Sequence, residues 1–270
     1  MWVHWGPPTY LKLLERSVAS VAMHVDADRY VVSDAPIPES IRAKNIIHQF
    51  TASGFMRKPE VLSQIVPEGH SVVLFLDSDT VVLGDIDFGF SQAARHGVAL
   101  SLASNYSLAD YYDSAIVMRR EGLASEGQSL YNSGVIFYRA TGEVLSLFSE
   151  WNSVALRNGE FLKGDQEALT IAMLTADFNP YVLSKSFNVR GPLEALSGEA
   201  YIWHAKGPVP RGINSSHGIG TRRVLVNGRI RAMSSSFLAG GPAALFFRWA
   251  LRKPYLLYSR LARRLGVSPK

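Results

Sequence analysis

Asp77 and Asp79 stand one residue apart in the segment Leu76-Asp77-Ser78-Asp79-Thr80, immediately after an apolar run at residues 71–76 (SVVLFL). Where such a run ends and the chain turns, both carboxylates can reach one centre, directly or through water. Two adjacent anions repel unless a cation neutralises them. Oxygen donors favour a hard divalent ion, Mn²⁺ or Mg²⁺, which keeps positions open for phosphate oxygens. The plainer alternative is a polar turn after a strand. A second pair, Asp85-Ile86-Asp87, follows Gly84 instead of an apolar run. Ile86 between its carboxylates predicts a surface turn with the isoleucine pointing inward.

Three further segments carry groups of matching chemistry. Residues 130–138 (LYNSGVIFY) place a small polar turn before an apolar strand. Asn132 and Ser133 offer hydrogen bonds to hydroxyl groups, and Gly134 permits close backbone approach; alternatively, Asn132 closes a turn. Residues 163–169 (KGDQEAL) open a helix with Asp165 near its cap position, which could be the whole of its role. Residues 201–207 (YIWHAKG) end an apolar run with His204 and Lys206. Histidine can complete a metal site and lysine can hold a diphosphate; a lone histidine is otherwise a buried structural one.

These groups need a framework. Residues 2–5 and 29–32 are short apolar or β-branched segments, and NIIHQF at 45–50 reads as a third strand. Between the first two, Leu11, Leu14, Val18, Val21 and Ala22 recur at helical spacing over residues 10–24. Pro59 fits the first turn of a helix reaching about Ile65. The continuous run 71–76 reads as a strand buried on both faces. Strands alternating with helices predict a parallel α/β sheet, in which ligands gather at the carboxyl ends of the strands. Asp77 and Asp79 follow directly from such an end.

In this order LDSDT, YNSGV, GDQEAL and WHAKG resemble the GT-A glycosyltransferases of the glycogenin and galactosyltransferase-like branch, over roughly residues 1–210. The resemblance implies a Rossmann-like mixed sheet with helices on both faces, and transfer of a sugar from a nucleoside-diphosphate donor, a UDP-sugar, with retention. It implies that Asp77, Asp79 and His204 bind Mn²⁺ or Mg²⁺. Lys206 and Gly207 would meet the diphosphate, with Lys58 also in reach; Asn132, Ser133, Asp165 and Gln166 would surround the transferred sugar. His4, Tyr10 and Asp34 would line the nucleotide pocket. The chain fits the branch's H-x-x-G through Gly207 but lacks the Lys-Pro-Trp that often follows, which leaves Arg211 as a rival for the phosphate. If the reaction inverts instead, Asp165 or Glu167 is the natural base. The alternatives are a catalytically silent sugar- or nucleotide-binding adaptor of the same fold, or a sugar nucleotidyltransferase; Gly6-Pro7-Pro8 is a poor match for the Gly-rich phosphate loop of the latter.

Composition narrows the classes. With 47% hydrophobic and 19% charged residues the 270-residue chain is built to pack. The absence of cysteine excludes disulfides, thiolate-bound zinc and a thiol nucleophile. Residues 2–6 show no signal-peptide pattern, and no apolar stretch approaches the roughly 20 residues of a membrane span. The net charge of +5 is unevenly shared: residues 200–270 hold 13 Lys and Arg and no acid, while residues 1–199 hold 15 basic and 23 acidic residues. A catalytic domain at 1–215 and a basic amphipathic tail at 216–270 follow. Helices are predicted at 243–253 and 255–265, where arginines interleave with Phe246, Trp249, Tyr255 and Tyr258. Such a tail suits an anionic membrane surface; packing on the acidic body is the alternative, and no nucleic-acid module is present. The expectation is therefore a cytoplasmic, peripheral membrane enzyme of polysaccharide biosynthesis, acting on a glycan or glycolipid acceptor.

Overall fold

Every position from Val72 to Leu76 is apolar, and the architecture explains why no alternation was needed. The computed structural model describes residues 1–108, 113–124, 127–162, 164–190, 195–196, 199–210, 213–214, 221–226 and 229–234. Strand β4 (Val72–Leu76) turns Val73 and Phe75 into one apolar cluster and Leu74 and Leu76 into another. Strand β7 (Ser129–Arg139) alternates likewise, with Ile136 and Tyr138 on one face and Val135 and Phe137 on the other. Side chains of successive strand residues point to opposite faces, so a strand covered on both faces reads as one unbroken apolar run.

The covering helices divide between the faces. Helices α2 (Arg57–Gln64), α5 (Gly142–Arg157) and α6 (Asp165–Thr175) pack Val61, Leu62, Phe148, Trp151, Leu169 and Met173 into the first cluster, joined by Val117 and Met118 of α4 (Ser114–Arg120). Helices α1 (Pro8–His24) and α3 (Asp87–His96) pack Leu14, Val18, Val21 and Ala93 into the second. Each fully buried Leu, Val or Phe contributes about 1.5–3 kcal/mol through its removal from water. Helix α1 starts at Pro8, where a missing N–H costs nothing.

The sheet is mixed, as the resemblance implies, and not wholly parallel as the alternation of strands and helices alone predicts. Strands β1 (Trp2–His4), β2 (Tyr30–Ser33) and β3 (Lys44–Ile47) pair in parallel, with His4, Ser33 and Ile47 in register. Met1 N–H donates to Leu74 O at 2.7 Å and Leu76 N–H to Met1 O at 3.0 Å, which joins β4 to β1. Beyond β4, β7 runs antiparallel with Leu76 opposite Val135; β6 (Val98–Ser107) is antiparallel to β7, and β8 (Tyr181–Leu183) parallel to β6. The strand order is β3-β2-β1-β4-β7-β6-β8. A separate two-stranded ribbon pairs β5 (Thr80–Val82) with β10 (Ile202–His204), setting His204 opposite Thr80.

The chain divides into two compact units, Met1–Gly191 with Glu199–Val209, and Pro192–Gly198 with Pro210–Lys270. In the second, β9 (Ala195–Leu196), β11 (Thr221–Val226) and β12 (Arg229–Ser234) form an antiparallel sheet in the order β12-β11-β9. The described part of the expected tail is thus a β-hairpin. The helices expected at 243–253 and 255–265 lie outside the described residues, as do Lys163 and Arg211. Among the described residues no helix is long and apolar enough to cross a membrane.

Candidate metal and diphosphate site

The chain leaves β4 through Asp77, whose N–H donates to Gly134 O on β7 at 2.8 Å. Thr80 closes a tight turn, its N–H and hydroxyl both donating to Asp77 O at 3.1 and 2.8 Å. The turn swings Asp79 toward β10, where Ala205 N–H donates to Asp79 O at 3.0 Å. His204 Nε2 then lies 3.3 Å from Asp79 Oδ1 and 3.5 Å from Asp77 Oδ2. The three ligand atoms all fall within 4.8 Å of one another, so Asp77, Asp79 and His204 could hold a metal ion. A divalent ion bound at about 2.1 Å sets neighbouring donors roughly 3.0–3.5 Å apart, and the histidine–carboxylate spacings match. Asp85 and Asp87 stand apart: Asp85 Oδ1 accepts from Asp87 N–H at 2.8 Å at the start of α3, with Ile86 fully buried between them.

The histidine is oriented from behind. His204 Nδ1 lies 2.8 Å from Asn188 Oδ1, an acceptor, so Nδ1 carries the proton and Nε2 faces the carboxylates. Such an outer partner fixes the tautomer of a ligating histidine. Asn188 Nδ2 donates to Asn132 Oδ1 at 2.6 Å, and Asn132 Nδ2 to Gln166 Oε1 at 3.2 Å. One amide chain therefore runs from His204 to the first turn of α6. Gly134 makes room for it: a Cβ there would meet Asp77 Oδ2 at 2.5 Å and overlap the His204 ring. The close approach expected at this glycine is thus taken up by two side chains of the candidate metal site.

Lys58 occupies a position that sequence reasoning placed differently. Its ammonium is buried between Asp77 Oδ1 at 2.8 Å and Asp165 Oδ2 at 2.6 Å, and donates to Ser133 O and Oγ at 3.2 and 3.3 Å. An ammonium has three N–H bonds, and here they are engaged by protein, leaving none directed at a diphosphate. Ser133, expected to meet the ligand, serves Lys58. Burial alone would lower the Lys58 pKa, but Asp165 and Asp77 outweigh it and keep the ammonium charged. Burial would likewise raise Asp77, yet Lys58 and His204 hold it well below the usual carboxylate range. Burial would lower His204, and its bonds to Asp77 and Asp79 raise it instead. Once the histidine is neutral, as a metal ligand must be, three carboxylates against one lysine leave two negative charges, the complement of a divalent cation.

Asp165 is the first residue of α6, with Gly164 the N-cap, so it does not cap the helix through its side chain. Its carbonyl accepts from Trp151 Nε1 at 2.8 Å, anchoring the helix start to α5. Glu167 is not placed to act as a base. It is fully buried, its carboxylate lies against Gly164, and burial, with Asp165 nearby, pushes its pKa up to about 8. Tyr10 and Lys206 meet directly, Lys206 Nζ donating to the Tyr10 hydroxyl at 3.0 Å and lying 5.1 Å from the ring centre. The Gly207 carbonyl is held by Arg16. His4 ends β1, buried, with Nδ1 lacking a hydrogen-bond partner among the described residues; burial lowers its pKa and Asp34 partly offsets this. Asp34 follows β2, 4.0 Å from Arg57 Nη1.

The site thus gathers Lys58, Asp77, Asp79, Asn132, Ser133, Asp165, Gln166 and His204 into one bonded network, while Tyr10, Lys206 and Gly207 form a neighbouring group and His4 and Asp34 a third at the ends of β1 and β2. Sequence reasoning missed Asn188 and Arg16. Asn188 carries no local signal. Arg16 had one, since Ser17 and Ser20 beside it are buried polar residues on a helix read only for its apolar face.

No protein-family model matches the chain, and no curated protein matches it by sequence. Among solved structures it is similar to the apo crystal structure of mouse xyloside xylosyltransferase 1, with a TM-score of 0.53 and 14% identity, over 77% of this chain and 98% of that one. At that identity the likeness is one of architecture: the chain shares the mixed α/β fold of that xylosyltransferase.

Proposed function

We propose that this protein is a metal-dependent glycosyltransferase that uses a nucleoside-diphosphate sugar. The observation that carries the reading is the Asp77–Asp79–His204 cluster, placed after a sheet strand and left two charges negative by its single lysine. A divalent ion held there would supply the neutralisation a pyrophosphate leaving group needs as the sugar C1–O bond breaks. The Lys206 ammonium, exposed beside Tyr10, is suited to a second contact on the diphosphate. Tyr10, His4 and Asp34 line the nucleotide side in this reading, and Asn132 and Gln166 orient sugar hydroxyls from their shared amide chain.

Asp165 is paired with Lys58 and Glu167 is buried away from the network, so neither stands ready as a base. This favours retention, with the departing phosphate oxygen taking the acceptor's proton. The donor is proposed as a UDP-sugar, on the resemblance of the ordered motifs. The 13 Lys and Arg of residues 200–270, with no acid among them, support a surface-bound enzyme acting on a glycan or glycolipid at the cytoplasmic face of an anionic membrane.

The test is a donor screen. The protein is incubated with Mn²⁺ and a panel of UDP- and GDP-sugars, UDP-xylose included, and nucleotide release is measured. Turnover of one donor, abolished by EDTA and by Asp77→Ala, is expected. Absence of turnover with every donor, or turnover indifferent to both treatments, would overturn the proposal.

A further inference from the structure

The geometry points to Arg16 as the residue that positions Lys206 for the diphosphate, a role no motif assigns to it. Arg16 Nη1 donates to Gly207 O at 3.0 Å and Nη2 to Ala205 O at 3.2 Å. These carbonyls flank Lys206, so one guanidinium ties the backbone on both sides of the lysine. The amide side of Ala205 is fixed as well, through its N–H to Asp79 O at 3.0 Å. Residues 205–207 form a bend outside any helix or strand and end in a glycine. Without the clamp nothing regular would hold this stretch after His204.

Neighbouring side chains of the same helix make the clamp one part of a larger attachment. Ser17 Oγ bonds Thr80 Oγ1 at 2.9 Å, and Val82 N–H donates to Ser20 Oγ at 2.9 Å. Tyr10 at the helix start receives Lys206 itself. Residues 17 and 20 thus hold β5, which follows Asp79, while residues 10 and 16 hold the segment 205–207 that leaves β10 directly after His204. A rigid fork with parallel N–H bonds matches two backbone carbonyls as a lysine cannot. Both Nη groups face those carbonyls, and Nε is buried with no hydrogen-bond partner among the described residues, so Arg16 acts through Lys206 and is a positioning residue.

The inference rests on the reading of the site as one for a nucleoside diphosphate. The test titrates UDP, GDP and, as a control without phosphate, uridine into the full chain with saturating Mn²⁺ by calorimetry. The proteins are wild type, Arg16→Ala, Arg16→Lys, Lys206→Ala and the double Arg16→Ala/Lys206→Ala variant. Expected is roughly tenfold or greater weakening of the bound nucleoside diphosphate in Arg16→Ala, matching Lys206→Ala. Mn²⁺ affinity should be unchanged, Arg16→Lys should recover part of the loss, and the double variant should be no worse than Lys206→Ala alone. Losses that add in the double variant would show that Arg16 meets phosphate itself and overturn the positioning role. Full affinity in Arg16→Ala, or equal weakening of uridine and Mn²⁺, would overturn it too. A wild-type protein that binds neither diphosphate would overturn the functional reading and this inference together.

Discussion

Replacing Asn188 by Ala tests whether the amide chain behind His204 sets the metal site. The substitution removes the acceptor 2.8 Å from His204 Nδ1 and the donor 2.6 Å from Asn132 Oδ1. His204 is buried, so its Nδ1–H loses its partner where water is scarce, and the ring is free to turn or to shift its proton to Nε2, the atom that faces Asp77 and Asp79. Loss of such an outer partner typically lowers metal affinity 10- to 100-fold, or about 1.4–2.7 kcal/mol. Mn²⁺ titration followed by the electron paramagnetic resonance signal of the free ion measures this directly. Thermal unfolding without metal serves as the control for folding. Asn188→Asp keeps an acceptor for Nδ1–H and should bind Mn²⁺ more tightly than Asn188→Ala. Equal Mn²⁺ affinity in wild type and a well-folded Asn188→Ala would refute the idea that this bond orients the histidine.

Gly134→Ala should bind Mn²⁺ at least tenfold more weakly, because its methyl would overlap the His204 ring and press on Asp77; unchanged affinity would show that the ligands do not pack as described. Lys58→Met leaves Asp77 and Asp165 without their counter-charge and should cost about 3–5 kcal/mol. At roughly 2–4 °C per kcal/mol that is a fall in melting temperature of about 6–20 °C, recovered in part by Mn²⁺; an unaltered melting temperature counts against the buried ion triad. Glu167 makes stability pH-dependent. Its pKa is raised from 4.5 to about 8 in the folded protein, so the folded state keeps a proton that the unfolded chain releases. Stability from this group is therefore full below about pH 4.5 and lost as pH rises to about 8. Glu167→Gln should match wild type near pH 4.5 and exceed it by about 2–4 kcal/mol at pH 8.5 in denaturant titrations; parallel pH profiles for the two proteins would contradict this.

Much of the framework was legible because burial leaves a period in the sequence. The run at 72–76 announced a doubly covered strand, and the apolar spacing over 10–24 announced α1. Strand direction left no such mark. YNSGVIFY reads the same whether β7 runs with β4 or against it, and the antiparallel pairing that brings Gly134 beside Asp77 became visible only in the fold. The two aspartates and His204 were legible as types suited to a cation at strand ends. The partners that fix them were not, because their bonds span long stretches of chain. Asn188 reaches back 56 residues to Asn132, and Lys58 crosses 75 residues to Ser133. The neighbours of Lys58 were not legible either: a lysine beside a phosphate site and a lysine neutralising buried carboxylates look alike in sequence, and the pairing with Asp77 and Asp165 appears only in the fold. The hairpin of β11 and β12 was missed because its arginines drew attention to charge, and charge does not specify secondary structure.

The proposed chemistry depends on a divalent cation held by Asp77, Asp79 and His204. Anomalous X-ray diffraction from crystals grown with Mn²⁺ and UDP tests it most directly. A single strong manganese peak within about 2.3 Å of one oxygen from each aspartate and of His204 Nε2, with diphosphate oxygens completing its shell, is the expected result. Manganese bound elsewhere, or UDP seated without any peak between these three side chains, would contradict it.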